Sequence, residues 1–482
     1  MSKTTRRNFL KQSAIAATAV GAVPYFFSSQ QPALAQQAPS DRLRMGCLAV
    51  GQEGRARARD FNGLVDIVAI CDVDSQHMEA AQEDNNIGRR GVRLDAYKDY
   101  RRILDRNDID VVSVCSPDHW HTKMCIEAMQ AGKHVFCEKP LTLTIEENQL
   151  IRNACKKYNK VFQVGTQQRS QRNQFALAAL MVRAGLLGKV QRVVCDIGGG
   201  GRSGVLPKAD VPESLDFEMW LGQAPLAEYV ASPEMHNAGR LYARPRQSRV
   251  HFEFRWWYDY SGGTFTDWGA HHVDCAMWAL DRLDDGTGPV KIRPIVAEHS
   301  MPFVDGWPTI DNQYNTSFNF DVECTFEDGL VMHVVSRSQD GNGILFEGTE
   351  GRIHVSRGRI AGRPFEQFAG SPYGRDRDVP YDQILRNIAE VFPDEAFAEL
   401  YNGKRFEGGH YRNFINCIRD GGLPVSDVYT HVQAMNVCHL CVIAARLGRE
   451  VTWDPVLERT GDTQSQSFVA RKQRRGYEIP RV

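Results

Sequence analysis

An apolar run that leads into a glycine turn and a helical pattern most constrains the fold of this 482-residue chain. The run spans residues 44–50 and continues as Ala49-x-Gly51-x-x-Gly54, a G-x-G-x-x-G pattern with alanine in the first place. Such a turn lets the backbone approach a pyrophosphate at a helix N-terminus. The pattern is weak by itself, because glycine turns between strands and helices are common.

A second apolar run, residues 66–72, ends in Asp72, about 20 positions after the glycines. A carboxylate at this spacing accepts hydrogen bonds from ribose hydroxyls in dinucleotide-binding folds. Val73 and Asp74 follow, without the Arg or Lys that a 2′-phosphate needs, so NAD(H) is favoured over NADP(H). A loop acid capping a turn is the weaker alternative. The predicted cofactor contacts here are Gly51, Gln52, Glu53, Gly54 and Asp72.

Alternating apolar runs and helical patterns continue to residue 135 and predict a parallel sheet with crossover helices. Cys137-Glu138-Lys139-Pro140 follows the last of these strands. Ligands bind beyond the carboxyl ends of such strands, so Lys139 is predicted to lie beside a nicotinamide. An ordinary surface lysine is the alternative.

From this tripeptide onward the chain resembles the Gfo/Idh/MocA oxidoreductases, the glucose–fructose oxidoreductase and inositol dehydrogenase type. The resemblance rests on Glu138-Lys139-Pro140 and on residues 116–121, 164–170, 261–274, 348–351 and 447–455. It implies an α/β chain with an N-terminal Rossmann domain and a C-terminal α+β domain containing a large open antiparallel sheet. The predicted limits are 41–165 and 166–460, with a C-terminal tail over 461–482.

The segment around Asp267 also supports a site without the family. Thr266 is a possible N-cap, and a helical pattern continues to about residue 280. At about 100° per residue, Asp267, His271 and Asp274 share one face and His272 lies opposite. That face suits proton transfer with substrate hydroxyls. A capped helix with buried polar groups is the alternative.

The resemblance implies roles for these residues. His271 would accept the hydroxyl proton, Lys139 would stabilise the developing charge on oxygen, and Asp267 would orient the substrate or assist the proton relay. Other hydroxyls would be held by Arg169, Tyr258 and Asp274. Further cofactor contacts are expected from Ser116, Pro117, His121 and Glu138.

The second domain is expected to contain strands at 191–197, 292–299, 313–320, 330–337 and 352–355. Helices at 410–419 and 430–447 are expected to pack back on the first domain. The glycine-rich segment 198–204 is either a lid or a plain connection. Among the aromatic residues of 254–258, only some should reach the cleft, since aromatics at strand spacing usually fill a core. The family implies a homodimer or homotetramer.

Residues 1–35 resemble a twin-arginine export signal. Arg6 and Arg7 precede an apolar stretch at 13–27, and Ala33-Leu34-Ala35 provides a cleavage site. A membrane anchor is the alternative, but the stretch is shorter than the ~20 apolar residues that a span requires. No later segment is expected to span a membrane. The prediction is a periplasmic or otherwise extracytoplasmic protein that uses the twin-arginine machinery.

Several of the twelve cysteines lie inside apolar runs and are interpreted as free core thiols, which suits export after folding. Cys438-x-x-Cys441 lacks a second pair, so no metal site is expected. A net charge of −1 predicts no general attraction to nucleic acid. The basic run at 471–475 is interpreted as a solvated tail.

Export raises a question about cofactor supply, because free NAD is not maintained outside the cytoplasm. We therefore expect an oxidoreductase acting on CH–OH groups of a sugar, sugar derivative or polyol, with a tightly bound cofactor. The first alternative is a hydride-retaining, NAD-dependent glycosidase or lyase. The second is a non-catalytic sugar-binding homologue, against which the retained Glu138-Lys139-Pro140, Asp267 and His271 count.

Overall fold

A computed structural model describes residues 42–236, 244–369, 381–401 and 408–482. The predicted export signal and its cleavage site at Ala33–Ala35 lie outside the described residues.

The first domain is built on a parallel sheet, as the sequence predicted, with six strands in the order β3-β2-β1-β4-β5-β6. The predicted domain limit at residue 165 follows β6 directly. Crossover helices connect the strands, and apolar residues on both sheet faces form the core. The strands are β1 (Arg44–Leu48), β2 (Asp66–Cys71), β3 (Asp95–Tyr97), β4 (Val111–Val114), β5 (His134–Cys137) and β6 (Phe162–Val164). The helices are α1 (Gln52–Phe61), α2 (Ser75–Glu83), α3 (Arg101–Leu104), α4 (Asp118–Gln130) and α5 (Ile145–Tyr158).

The turn after β1 explains both the alanine and the glycine of the motif. The strand ends at Leu48, two residues earlier than the apolar run, because Ala49 adopts a left-handed backbone with φ 66°. A Cβ on Gly54 would collide with the carbonyl oxygen of Ala49, so only glycine lets α1 pack this closely on the turn.

The second domain is built on a nine-stranded sheet in the order β17-β16-β15-β7-β14-β13-β10-β18-β19. Its pairs are antiparallel except β7 with β14, which is parallel, so the expected antiparallel sheet is in fact mixed. One face packs on helices in a large apolar core, and buried residues alternate along β13. The strands are β7 (Val190–Asp196), β8 (Met235–His236), β9 (Arg244–Pro245), β10 (Pro289–Glu298), β11 (Phe303–Val304), β12 (Trp307–Pro308), β13 (Asn319–Phe326), β14 (Val331–Val335), β15 (Gly343–Gly348), β16 (Arg352–Val355), β17 (Ile360–Arg363), β18 (Val451–Asp454) and β19 (Arg459–Thr460), with β8–β9 and β11–β12 as separate hairpins.

The strand predicted at 313–320 is wrong. This segment is irregular, because its polar groups bond to other loops instead of to a neighbouring strand. Tyr314 N donates to Ser203 Oγ at 2.9 Å, and Asn315 N donates to Trp256 O at 2.8 Å. The strand begins only at Asn319.

The helices of the second domain include two that return to the first domain, as predicted. They are α6 (Leu177–Arg183), α7 (Phe217–Leu221), α8 (Thr264–Asp267), α9 (Gly269–Ala279), α10 (Tyr381–Val391), α11 (Asp394–Leu400), α12 (Gly409–Asp420), α13 (Val428–Leu447) and α14 (Thr463–Gln466). Helix α12 places Phe414 and Ile415 in the core of the first domain, and α13 adds Val428 and Val432. Among the described helices, α13 is long and apolar enough to cross a membrane, contrary to expectation, but it is buried inside the protein.

The C-terminal segment is not the solvated tail that its basic run suggested. Arg471 Nε donates to the buried carboxylate of Glu147 at 2.9 Å, and Arg474 donates to the carbonyl of Gly222 at 2.8 Å. Ile479 is buried in the first domain's core. Basic side chains here find fixed partners on both domains, so the segment is part of the fold.

Candidate active site

A cavity of about 740 Å³ lies at the carboxyl ends of β1, β2, β4 and β5, where the second domain covers the first. Both domains contribute to its wall, and this is the position at which parallel sheets bind ligands. The residues that line it include Gly51, Gln52, Glu53, Asp72, Ser116, Pro117, Glu138, Lys139, Asp267 and His271 from the sequence prediction.

The Asp72 carboxylate is fixed at one end of this cavity. Its oxygens accept hydrogen bonds from Val50 N at 2.8 Å and Asp74 N at 2.9 Å, and His77 Nδ1 lies 3.3 Å away. Burial by itself would raise the pKa of Asp72, but His77 and the two backbone donors lower it below its usual value. The carboxylate is therefore charged and held in place to accept hydroxyl hydrogen bonds.

The loop after β4 and the Glu138 carboxylate form the middle of the cavity. Glu138 Oε1 accepts from Arg57 at 3.2 Å and from Gln167 at 3.1 Å. His121 does not line the cavity; its ring bridges the carbonyls of Ser116 and Pro140 at 2.7 and 2.8 Å. Its geometry therefore supports a role in holding the two loops, not in touching a cofactor.

Lys139, Asp267 and Arg255 meet at the other end. Lys139 Nζ donates to the Asp267 carboxylate, and Arg255 Nε lies 3.4 Å from the same group. Burial opposes ionisation of Asp267, but the two cations prevail and lower its pKa to about 2. Asp267 is therefore an anion that holds the lysine toward the cavity.

His271 lines the cavity, whereas His272 faces the core. Burial, Lys139 and Arg357 lower the pKa of His271 well below 6.5, and its buried Nδ1 lacks a hydrogen-bond partner among the described residues. A neutral imidazole with an unused nitrogen is suited to accept a proton. His272 Nδ1 lies 2.9 Å from the carbonyl of Asp196, beneath the cavity wall.

The structure brings Asp267 and His271 of the predicted helical face to the cavity wall but places Asp274 elsewhere. Thr266 is not an N-cap: it lies inside α8, which begins after Gly263 with φ 67°. Asp274 is fully buried and does not line the cavity, although its angle around the helix axis matches that of Asp267. The angle around the helix axis does not account for the rise along it. That rise places Asp274 about 10 Å farther along the axis than Asp267, in the core.

Arg169 and Asp274 form a buried ion pair instead of the predicted substrate contacts. Arg169 Nε and Nη2 each lie 2.6 Å from the carboxylate, and His431 Nδ1 adds a contact at 3.0 Å. Tyr258 is also outside the cavity wall, and its hydroxyl accepts from Ser317 N at 3.3 Å. These contacts indicate that Arg169, Asp274 and Tyr258 stabilise the fold, and none of the three lines the cavity.

All twelve cysteines are free, and eleven of them are buried. Cys441 Sγ lies 3.6 Å from Cys324 Sγ inside the core, and Cys438 packs on Gly269. Among the described residues, Asp74, His77 and His251 form one cluster with possible metal-ligand atoms within 4.8 Å of one another. All three line the cavity near Asp72, so we assign them to its wall.

Two family models match the chain and together span more than half of it. Residues 45–166 match an oxidoreductase family with an NAD-binding Rossmann fold, and residues 199–359 match the C-terminal α/β domain of the same family. The chain belongs to the Gfo/Idh/MocA oxidoreductase family. It is therefore a member of an NAD-binding oxidoreductase family.

Solved structures with this family fold include aldose–aldose oxidoreductase from Caulobacter crescentus and myo-inositol 2-dehydrogenase from Lactobacillus plantarum. Each is 19% identical and covers 85% of this chain and 99% of its own, with TM-scores of 0.52 and 0.51. A levoglucosan dehydrogenase in complex with NADH and levoglucosan is 17% identical over the same shares, with a TM-score of 0.51. At this identity the similarity establishes the fold.

Curated relatives include two proteins named "Glycosyl hydrolase family 109 protein". The one from Shewanella pealeana is 32% identical over 161 residues, and one from Shewanella baltica is 35% identical over 159 residues. Each match covers 30% of this chain and 35% of the relative, so the chain spans about a third of the curated relatives' length.

Sequence reasoning missed several residues of this Gfo/Idh/MocA cavity. Asp118 follows the predicted Ser116-Pro117 pair directly, and its buried Oδ2 has no partner among the described residues. Its position beside that motif is a signal that the sequence did offer. Trp268 and Arg255 lie inside the segments 261–274 and 254–258, but nothing in their local pattern singled them out. His77, Trp220 and Arg357 come from other segments with no shared spacing.

Proposed function

We propose that this protein oxidises or reduces a CH–OH group of a sugar, sugar derivative or polyol by hydride transfer. The observation that carries the proposal is that Lys139, Asp267 and His271 line the same cavity as Gly51 and Asp72. Proton-transfer groups and a ribose-type acceptor thus share one enclosed space. Aldose, inositol and levoglucosan appear in the names of the structural neighbours and support this substrate class.

The residues fit a bound dinucleotide. Gly51 opens α1, whose first backbone N–H groups face the cavity and suit a pyrophosphate. The charged Asp72 suits ribose hydroxyls and disfavours a 2′-phosphate, so we propose NAD(H) over NADP(H). The nicotinamide supplies a hydride acceptor or donor.

The chain's own groups would move the proton. In the oxidation direction, the neutral His271 would accept the substrate hydroxyl proton as the C–H bond yields its hydride. Lys139 Nζ would donate a hydrogen bond to the same oxygen and stabilise its negative charge as the carbonyl forms. Asp267 would keep Lys139 aimed at this oxygen, since its carboxylate and its carbonyl both accept from Nζ.

We also propose that the cofactor stays bound, which suits an exported enzyme. A segment of the second domain covers the Asp72 end: Ser75 N donates to Ser214 O at 3.0 Å, and Asp216 N donates to Val73 O at 2.9 Å. Leu215 and Trp220 line the cavity beside this contact. Release would require these contacts to open. Twin-arginine export, an extracytoplasmic location and a homodimer or homotetramer complete the proposal.

A hydride-retaining glycosidase or lyase is the second candidate, favoured by the family 109 name of the curated relatives. In that reaction, transient oxidation acidifies a neighbouring C–H and permits elimination of the glycosidic group. A second acid–base group would be needed. Asp118 is suited to it, because burial raises the pKa of Asp118 to about 6.

Mass analysis of products from a panel of sugars and glycosides separates the candidates. Net oxidation, or paired oxidation of one sugar and reduction of another, supports the oxidoreductase. Cleavage without net redox change supports the glycosidase or lyase. Lys139→Ala is the matched negative control, and product formation equal to the wild type in that variant would contradict both reactions at this site.

A further inference from the structure

The turn between β16 and β17 carries an arginine into the cavity wall, next to the proposed proton acceptor. Arg357 lines the cavity, and its guanidinium stacks over the Trp268 ring at 4.5 Å from the centroid. With the Gln168 amide oriented by its neighbours, Gln168 Oε1 accepts from Arg357 Nε at 3.0 Å. Gln168 Nε2 in turn donates to His271 O at 3.2 Å. Stacking and this hydrogen bond fix the plane of the guanidinium, and its terminal nitrogens have no hydrogen-bond partner among the residues that the structure describes.

The charges around this arginine are not balanced. Lys139 and Arg255 share the Asp267 carboxylate, and the Asp118 carboxylate also interacts with Arg255. Arg57 is paired with Glu138. Arg357 has no carboxylate within ion-pair distance among the described residues. Arg357 is exposed at the cavity wall, and partial desolvation lowers its pKa despite the carboxylates of Asp267 and Glu138 nearby. At this end of the cavity three cations, Lys139, Arg255 and Arg357, therefore face two carboxylates, Asp267 and Asp118, which leaves one net positive charge.

The chemistry of arginine indicates which kind of anionic ligand group would balance this positive charge. A planar guanidinium binds carboxylates and phosphates through two parallel N–H···O bonds. The pyrophosphate of a dinucleotide would lie at Gly51, at the start of α1, whereas Arg357 stacks on Trp268 beside His271. A single unpaired cation matches the one charge of a carboxylate better than a phosphate dianion.

We propose that the substrate is an acidic sugar, such as a uronic acid or uronoside, whose carboxylate is bound by Arg357. This inference rests on the proposed function, since it names the substrate class of the same cavity. Arg357 acts as a specificity residue that selects acidic over neutral sugars.

The test compares matched sugars that differ only at the terminal carbon. Glucose, galactose and mannose are each paired with the corresponding uronic acid and the 6-phosphate, and binding to the full-length, cofactor-loaded protein is measured by tryptophan fluorescence and calorimetry. We expect at least one uronic acid to bind about 10-fold or more tightly than its neutral partner. Arg357→Ala should remove that preference, and Arg357→Lys should restore part of it.

Arg359→Ala is the control, because Arg359 lies on the same turn, is exposed and is outside the described cavity lining. It should keep the preference. Equal binding of acid and neutral sugar in every pair, a preference for the phosphate, or a preference that survives Arg357→Ala overturns the inference. Arg357-dependent acid binding without cofactor reduction or cleavage would instead reject the proposed function and leave the inference standing. Reduction of the cofactor by neutral sugars, with no preference for any uronic acid, would do the reverse.

Discussion

Lys139 and Asp267 lie 128 positions apart in the chain and meet across the cavity. Lys139 Nζ donates to the Asp267 carboxylate and, at 3.1 Å, to the Asp267 carbonyl. Lys139 follows β5 of the Rossmann sheet, and Asp267 ends α8 of the other domain. The proposed catalytic site is therefore complete only when both domains are folded against each other.

Replacing either proposed proton-transfer residue should stop the reaction without unfolding the protein. Lys139→Ala and His271→Ala should each lower kcat about 100-fold to 10,000-fold, the usual contribution of a general acid–base group. His272→Ala should act on stability, because it removes the contact to Asp196 O in the core. Steady-state kinetics and urea unfolding separate the effects. A greater loss of kcat in His272→Ala than in His271→Ala would contradict the assignment.

Asp72→Ala should weaken NAD(H) binding, because the ribose hydroxyls lose a charged acceptor. The expected loss is about 1.5–3 kcal/mol, or roughly 10-fold to 100-fold or more in Kd. Equilibrium binding of NADH after refolding or extensive dialysis measures it. Asp108→Ala, which removes an acid paired with Arg44 and Arg106 outside the described cavity lining, is the control. Unchanged affinity in a folded Asp72→Ala protein would reject the ribose contact.

Asp274→Asn should be strongly destabilising, because it leaves the Arg169 charge buried and uncompensated. Breaking a buried pair typically costs about 3–5 kcal/mol. Glu347→Gln breaks the more exposed pair with Arg192 and should cost no more than about 1 kcal/mol. Urea unfolding of both variants makes the comparison. If Asp274→Asn were as stable as wild type but bound substrate poorly, the originally predicted substrate contact would be correct.

The free energy of unfolding should fall as the pH is lowered from about 6.5 toward 3. Burial, and secondarily His431, lower the pKa of His439 to about 3, whereas an unfolded histidine binds its proton near pH 6.5. Between these values the unfolded state holds more protons, so acid favours unfolding, and the native state keeps its full stability above that window.

His439→Gln should remove this part of the pH dependence. Urea unfolding at about pH 7.5 and about pH 4.5 should show a smaller acid loss than wild type by on the order of 2 kcal/mol. His333→Gln, on the half-buried side of β14 beside Asp321, is the control. Equal acid losses in wild type and His439→Gln would contradict a neutral buried imidazole.

The exported protein should carry its dinucleotide through purification. Retention through dialysis requires a Kd on the order of nanomolar or below, about −12 kcal/mol. Denaturing the dialysed protein and assaying the supernatant should give close to one nucleotide per chain. Opening the cover over the Asp72 end, for example with Trp220→Ala, should speed its loss. Cofactor-free protein that regains activity only with added NAD would reject a resident cofactor.

The sequence by itself determined the first domain and the core of the proposed site. A dinucleotide-binding turn has local requirements that can be recognised in the sequence. They are the strand and helix periodicity, Gly54 packed against the Ala49 carbonyl, and Asp72 at the end of the second strand. The helical pattern also predicted that Asp267 and His271 lie close together, because four residues are about one helical turn.

Only the tertiary structure decided which polar residues face the cavity. Asp274 shares an angle with Asp267, but its neighbour Arg169 arrives from more than a hundred positions away and holds it in the core. Arg357 enters the cavity from a segment whose local sequence has no mark of function, and the aromatic run 254–258 did not single out Arg255. Residues 471–479, expected from the basic run to form a solvated tail, pack on both domains for the same reason. Burial and charge pairing depend on contacts between distant segments, and those contacts exist only after the chain has folded.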